Sequence, residues 1–139
     1  MIALDTDVIV ELLKGNPLYI AKATSYPRDE QFVPSIVIEE ILRGRLNAIR
    51  RAESGRIKLT IDRAYHLFEE TFRDFRSRRI LPYTAQAEVQ FQQWRKATVR
   101  VPTHDLRIAA TCVIHSATLI TRNRKDFDQI SGLSVEYWI

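Results

Sequence analysis

The residues with the most chemical capacity in this sequence are acids, and they fall in four separated groups: Asp5 and Asp7, Glu39 and Glu40, Asp105, and Asp126 with the amide of Asn123. Taken singly, each group suits the start of a helix, where a carboxylate meets the positive end of the dipole. Brought into one cleft they would repel and raise one another's pKa unless a cation neutralised them. An all-oxygen site of that kind selects Mg²⁺ or Mn²⁺ over zinc. Such ions lower the pKa of bound water, clamp a phosphate and stabilise charge during in-line displacement, so the chemistry indicated is phosphodiester hydrolysis. Other reactive residue types offer less. His66, His104 and His115 share no metal-ligand spacing, and only His104, next to Asp105, lies near the acids. The single cysteine, Cys112, sits among Ala109, Ala110 and Val113, which predicts a buried, inert thiol and excludes an internal disulfide.

The elements that must position these acids read as an α/β pattern. Met1 to Leu4 is a short apolar strand that stops at Asp5, and Val8, Ile9, Leu12 and Leu13 recur at helical spacing up to Gly15. Asn16-Pro17 opens a short helix through Ile20, a turn follows at Pro27 to Glu30, and Phe32-Val33 forms the second strand. Ser35 is expected to cap a helix carrying Glu39 and Glu40, interrupted near Gly44 and resuming through Ile49 to Ala52. Ile61, Tyr65, Phe68, Phe72 and Phe75 make one apolar helical stripe, for a core or an interface. Ile80 to Tyr83 is too apolar for a surface loop, Thr84 can cap a helix with Ala87, Phe91 and Trp94 inside, and Val99 to Pro102 gives a strand stub at most. Thr103 is expected to cap the helix that Asp105 opens. Ala117 to Thr121 reads as a buried strand, Arg124 to Ile130 as a short helix, and Leu133 to Ile139 as a terminal strand. Alternating strands and helices give a mainly parallel, twisted central sheet flanked by helices. In open α/β sheets the ligand sits beyond the carboxyl ends of the strands, which is where all four acidic groups fall.

Composition agrees with one compact domain over 1–139: 45% of the 139 residues are apolar and 27% charged, which excludes a disordered chain. No apolar run approaches the roughly 20 residues of a membrane span. Asp5, Asp7 and Glu11 break the first apolar stretch, so it is not a signal-peptide core, and a cytoplasmic protein is expected. The net charge of +4 is unevenly spread, with 3 basic and 7 acidic residues in 1–40 against 6 basic and 1 acidic in 41–60. A basic stretch beside an acidic pocket suits a polyanion that needs a cation at its reacting centre. Arg43 and Arg45 are the first candidates for contact with that polyanion because they follow Glu40 on its helix, with Arg50, Arg51 and Arg56 next.

Four segments resemble, in order, the motifs of PIN-domain ribonucleases: Leu4-Asp5-Thr6-Asp7, Ser35 to Glu40 with Gly44 beyond, Asp105 to Ala110, and Leu119 to Phe127. Within that family the chain resembles VapC-type toxins of bacterial toxin-antitoxin pairs, and the ending Gly132 to Trp138 also matches; residues 45–98 match in pattern only. The resemblance implies a single PIN-like domain that hydrolyses RNA with a metal-activated water, with Mg²⁺ or Mn²⁺ as cofactor. It implies Asp5 and Asp105 as principal metal ligands, Glu40 as the third acid, and Asp126 or Asn123 completing the quartet. Thr6 and Thr121 would orient these groups or the water. Glu40 is preferred to Glu39 because its offset to Gly44 matches, and Asp7 stands where Asn is commoner, where it could tighten the metal or cap the helix. The implied partners are RNA, a cognate antitoxin and a second copy in a homodimer, with no membrane. Two other readings remain open here: a haloacid-dehalogenase-like phosphatase using Asp5 as nucleophile, and an inactive RNA-binding or partner-binding module.

Overall fold

The computed structural model of the chain describes residues 1–138. Five strands form one sheet: β1 (Ile2–Leu4), β2 (Gln31–Pro34), β3 (Arg79–Leu81), β4 (Thr118–Thr121) and β5 (Val135–Tyr137). Their order is β3-β2-β1-β4-β5, and all four pairings are parallel, so the sheet is wholly rather than mainly parallel. Parallel neighbours need helical crossovers. These are α1 (Thr6–Leu13) and α2 (Pro17–Thr24), then α3 (Ser35–Glu53) and α4 (Ile61–Arg76), then α5 (Ala85–Lys96) and α6 (Thr103–His115), and finally α7 (Arg124–Phe127). Helix–helix packing runs mainly within two sets, α1 to α4 and α5 to α7. That division follows from right-handed crossovers, because the chain moves one way from β1 to β3 and the opposite way from β3 to β5.

β1 lies at the centre and is covered on both faces, and Ala3, Leu4, Leu119 and Ile120 are all fully buried. Leu4 pairs with Ile120, and the backbone N–H of Asp5 extends that ladder by donating to the Ile120 carbonyl at 2.9 Å. α1 ends as expected before Gly15, whose φ of +75° lets its own N–H donate to the Leu12 carbonyl and the Asn16 N–H to the Glu11 carbonyl.

Several local expectations are corrected. Ser35 and Thr103 are the first residues of their helices rather than the caps. The capping places belong to Pro34 and Pro102, which make no side-chain cap bond. The Ser35 hydroxyl instead donates to the Leu81 carbonyl, and Thr103 Oγ1 accepts from Arg95. α3 runs through Gly44 unbroken, and α2 continues to Thr24. Residues 99–101 form no strand, α7 stops at Phe127, and β5 is shorter than Leu133 to Ile139; Ile139 lies outside the described residues. The aromatic stripe of α4 is split. The packed face is Ala64, Phe68, Thr71 and Phe75, while Ile61, Tyr65 and Phe72 stand exposed beside it. Cys112 is buried, and burial pushes its thiol pKa up, away from reactivity.

Candidate active site

Asp5 sits where β1 meets α1 at the centre of the sheet, between strands that leave in opposite topological directions. It is the N-cap of α1: one carboxylate oxygen accepts from the Thr6 backbone N–H at 2.8 Å, and the other accepts from the Thr121 hydroxyl at 2.6 Å. Only 4% of it is exposed. Burial, followed by the charge of Asp7, pushes its pKa up to about 7 despite both hydrogen bonds. Each carboxylate oxygen keeps a second lone pair, so Asp5 can still reach a cation while both hydrogen bonds are made.

The neighbouring groups are tied to Asp5 through short relays. The Thr6 hydroxyl donates to Glu40 Oε1 at 3.2 Å. Glu40 is half-buried and raised in pKa by that burial, whereas Glu39 is exposed and pairs with Arg43 and His104. Thr121 Oγ1 accepts from the Asn123 backbone N–H at 3.1 Å while donating to Asp5. The Asn123 amide then donates to Asp126 Oδ2 at 2.9 Å and to Asp105 Oδ2 at 3.4 Å, and its oxygen caps α7. Asp105, in the first turn of α6, is raised to about 6, mainly by burial and then by the adjoining Asp126 carboxyl. The structure thus gathers Asp5, Thr6, Glu40, Asp105, Thr121, Asn123 and Asp126, with Asn123 holding Asp105 and Asp126 together rather than competing with Asp126.

Asp7 belongs to the same cluster and is not the cap of α1. One oxygen accepts from the Arg122 backbone N–H at 3.2 Å, and the other is buried with no hydrogen-bond partner. Burial raises its pKa as well. Its signal in the sequence was the acid two positions beyond Asp5. The loop preceding Asp105 carried no comparable signal: it turns at Thr98, with φ of 59°, and Arg95 clasps it through the Val99 carbonyl and Thr103.

The arginines separate. Arg43 and Arg50 line an open cleft of about 540 Å³ together with Glu40, Gly44, Asn47 and His104. Arg45 does not: its Nε donates to Thr71 of α4 at 3.0 Å, on another face of α3 from Glu40. Residues five apart on a helix lie about 140° from each other, which turns Arg45 away. Arg51 is exposed further along α3.

Five carboxyl groups facing one another, four of them half-buried or more and one oxygen left without a partner, form a hard, anionic donor set that suits a divalent cation. Among the described residues, no three His, Cys, Asp or Glu side chains make a ready metal cage by themselves. Open placement of this kind fits an ion that keeps several of its waters.

The family model for the PIN domain matches residues 2–133. The chain belongs to the PIN-domain family. A PIN relative named Ribonuclease VapC1 from Rickettsia felis is 31% identical over 134 residues, covering 95% of this chain and 92% of the relative. A second Ribonuclease VapC1, from Haemophilus influenzae strain R2866, is 29% identical over 138 residues, covering 97% and 96%. Among solved structures, VapBC2 from Rickettsia felis bound to a promoter DNA fragment superposes with a TM-score of 0.77 at 20% identity, over 100% of both chains. FitAcB from Neisseria gonorrhoeae gives 0.77 at 24% identity, over 97% of this chain and 96% of that one. At such identities these two establish the PIN fold. No helix among the described residues is long and apolar enough to cross a membrane.

Proposed function

We propose that this PIN-domain protein is a divalent-metal-dependent ribonuclease and the toxin of a toxin-antitoxin pair. The observation that carries the reading is Asp5, sealed at the carboxyl end of the central strand and facing Asp7 and Asp105, an arrangement unfavourable until a cation joins it. Relatives named as VapC ribonucleases along nearly the whole chain support the substrate, and solved neighbours that are toxin-antitoxin complexes support an antitoxin partner.

Asp5, Asp105, Glu40 and Asp126 would hold Mg²⁺ or Mn²⁺. When bound, that ion supplies Lewis-acid polarisation of the phosphodiester and a lowered pKa for water. Thr121 and the Thr6 N–H fix the orientation of the Asp5 carboxylate, and the Thr6 hydroxyl fixes that of Glu40. Asn123 keeps Asp105 and Asp126 side by side despite their repulsion. Glu40, half-buried at the edge of the open cleft, is placed to take a proton from an approaching water. Purified protein should cleave RNA with Mg²⁺ or Mn²⁺, should lose that activity in excess EDTA, and should lose it again as Asp5→Asn, Asp105→Asn or Glu40→Gln. Full cleavage in EDTA would refute the metal-dependent reading.

A further inference from the structure

Beyond the acidic cleft, the outer face of α3 carries a second concavity that contains no acid. Arg50, Arg51, Ser54 and Arg56 enclose about 520 Å³, and Arg50 also lines the cleft that holds Glu40 and His104, so the two spaces share a wall. None of these three arginines is in an ion pair among the described residues, whereas Arg43 is paired with Glu39. Helix-dipole stabilisation accounts for Arg50 and Arg51, which lie in the last turn of α3. It does not account for Arg56, which lies past the helix and is turned back by Gly55 at φ +70°, a conformation glycine takes without strain. Three unneutralised guanidinium groups around a hydroxyl match an anion with several oxygens, the chemistry of a phosphate.

We infer that Arg50, Arg51 and Arg56 hold a backbone phosphate of single-stranded RNA at a distance from the bond that is cut. This rests on the ribonuclease reading above. From Glu40 to Arg50 the helix advances about 15 Å. A dinucleotide is too short to cover that distance, whereas a single strand of four or more nucleotides can. The two spaces lie end to end along α3, which gives one strand a continuous path from the acids to the arginines. An acidic protein segment is the competing polyanion, but the second concavity is lined by three arginines and a serine, with no apolar or aromatic residue to form an anchoring pocket.

The test uses the full chain as Asp5→Asn, so that RNA survives, and follows binding of labelled single-stranded RNA of two, four and eight nucleotides by fluorescence anisotropy across a salt titration. Affinity should rise between two nucleotides and the longer strands. Arg50→Ala, Arg51→Ala and Arg56→Ala together should erase that rise and flatten the logarithmic salt dependence by about 0.7, the loss of one phosphate contact. Lysine at the three positions should restore most of the slope. If the triple alanine chain fails to melt cooperatively, Arg56→Ala alone, outside α3, should still weaken binding of the longer strands and remove part of that slope. Length dependence and slope unchanged in the alanine variants would overturn the inference, as would loss of antitoxin binding with RNA binding intact. A wild-type chain that cuts no RNA, while length-dependent binding persists, would instead overturn the ribonuclease reading and leave this site standing.

Discussion

Asp5 has two good hydrogen bonds and almost no contact with water, yet its carboxyl stays protonated to about pH 7 because burial and Asp7 outweigh both bonds. In the unfolded chain the same group ionises near 3.8. Below that value both states are protonated and the stabilisation is complete; as pH rises through about 7 it is lost, since the native state must then hold a buried charge. Asp105, raised to about 6, acts in the same direction. In EDTA the melting temperature should therefore fall between pH 4 and pH 8, by an amount on the order of a few kcal/mol of stability. Added Mg²⁺ or Mn²⁺ should reverse much of that fall above pH 7 and do little at pH 5, where protons compete for the same oxygens. At pH 8 without metal, Asp5→Asn should melt several degrees above the wild type and give no response to Mn²⁺. A lower melting point would show that the carboxylate is favourable without a cation. Thr121→Val removes the hydroxyl that orients Asp5 and should weaken Mn²⁺ binding about 10- to 100-fold, read from thermal shifts.

At the scale of elements, α3 links the acidic site to the basic face, and Gly44 lies between them. An added Cβ at Gly44 would meet nothing within 4 Å, and its φ is not in the left-handed region. Gly44→Ala should accordingly stabilise the chain by about 1 kcal/mol, seen as a rise of roughly 4 °C in melting temperature. A fall would mean that the bare backbone is required there. The same helix shows what could be read from sequence. The strand ends that deliver Asp5 and Thr121 were legible because short apolar runs stop abruptly at polar residues; Asp105 was legible because a carboxylate opens its helix, and Glu40, a turn further into α3, by its offset to Gly44. Thr84 caps α5 as read, but the caps expected at Ser35 and Thr103 and the break at Gly44 are absent. Gly44 is tolerated because Ile36, Val37, Ile41, Ile49 and Ala52 bury one side of α3, a tertiary gain that exceeds the propensity cost. The direction of Arg45 was also hidden, since it depends on Thr71, 26 residues away on α4.

At the scale of the whole molecule, the exposed Ile61, Tyr65 and Phe72 form an apolar strip on the flank of α4, and burial in the monomer does not explain it. As a surface for the antitoxin or for a second copy, it should answer to substitution in association rather than in folding. Tyr65→Ser with Phe72→Ser should change stability by no more than about 0.5 kcal/mol per site while weakening association in sedimentation. A large drop in melting temperature with association intact would place these rings in the fold instead.

The bond from Thr121 to Asp5 joins positions 116 residues apart, and Asp126 lies further on still. During translation at about 5–20 residues per second, the interval between emergence of the first acid and the last is roughly 6 to 24 seconds. For most of that interval the growing chain presents Asp5 without its hydroxyl partner, and Asp105, once made, waits for Asn123. A nascent chain therefore lacks the assembled site while on the ribosome that makes it, and a stalled or truncated product ending before β4 stays so. The delay between synthesis and activity is set by topology, because the central strand must wait for a neighbour encoded near the far end of the fold.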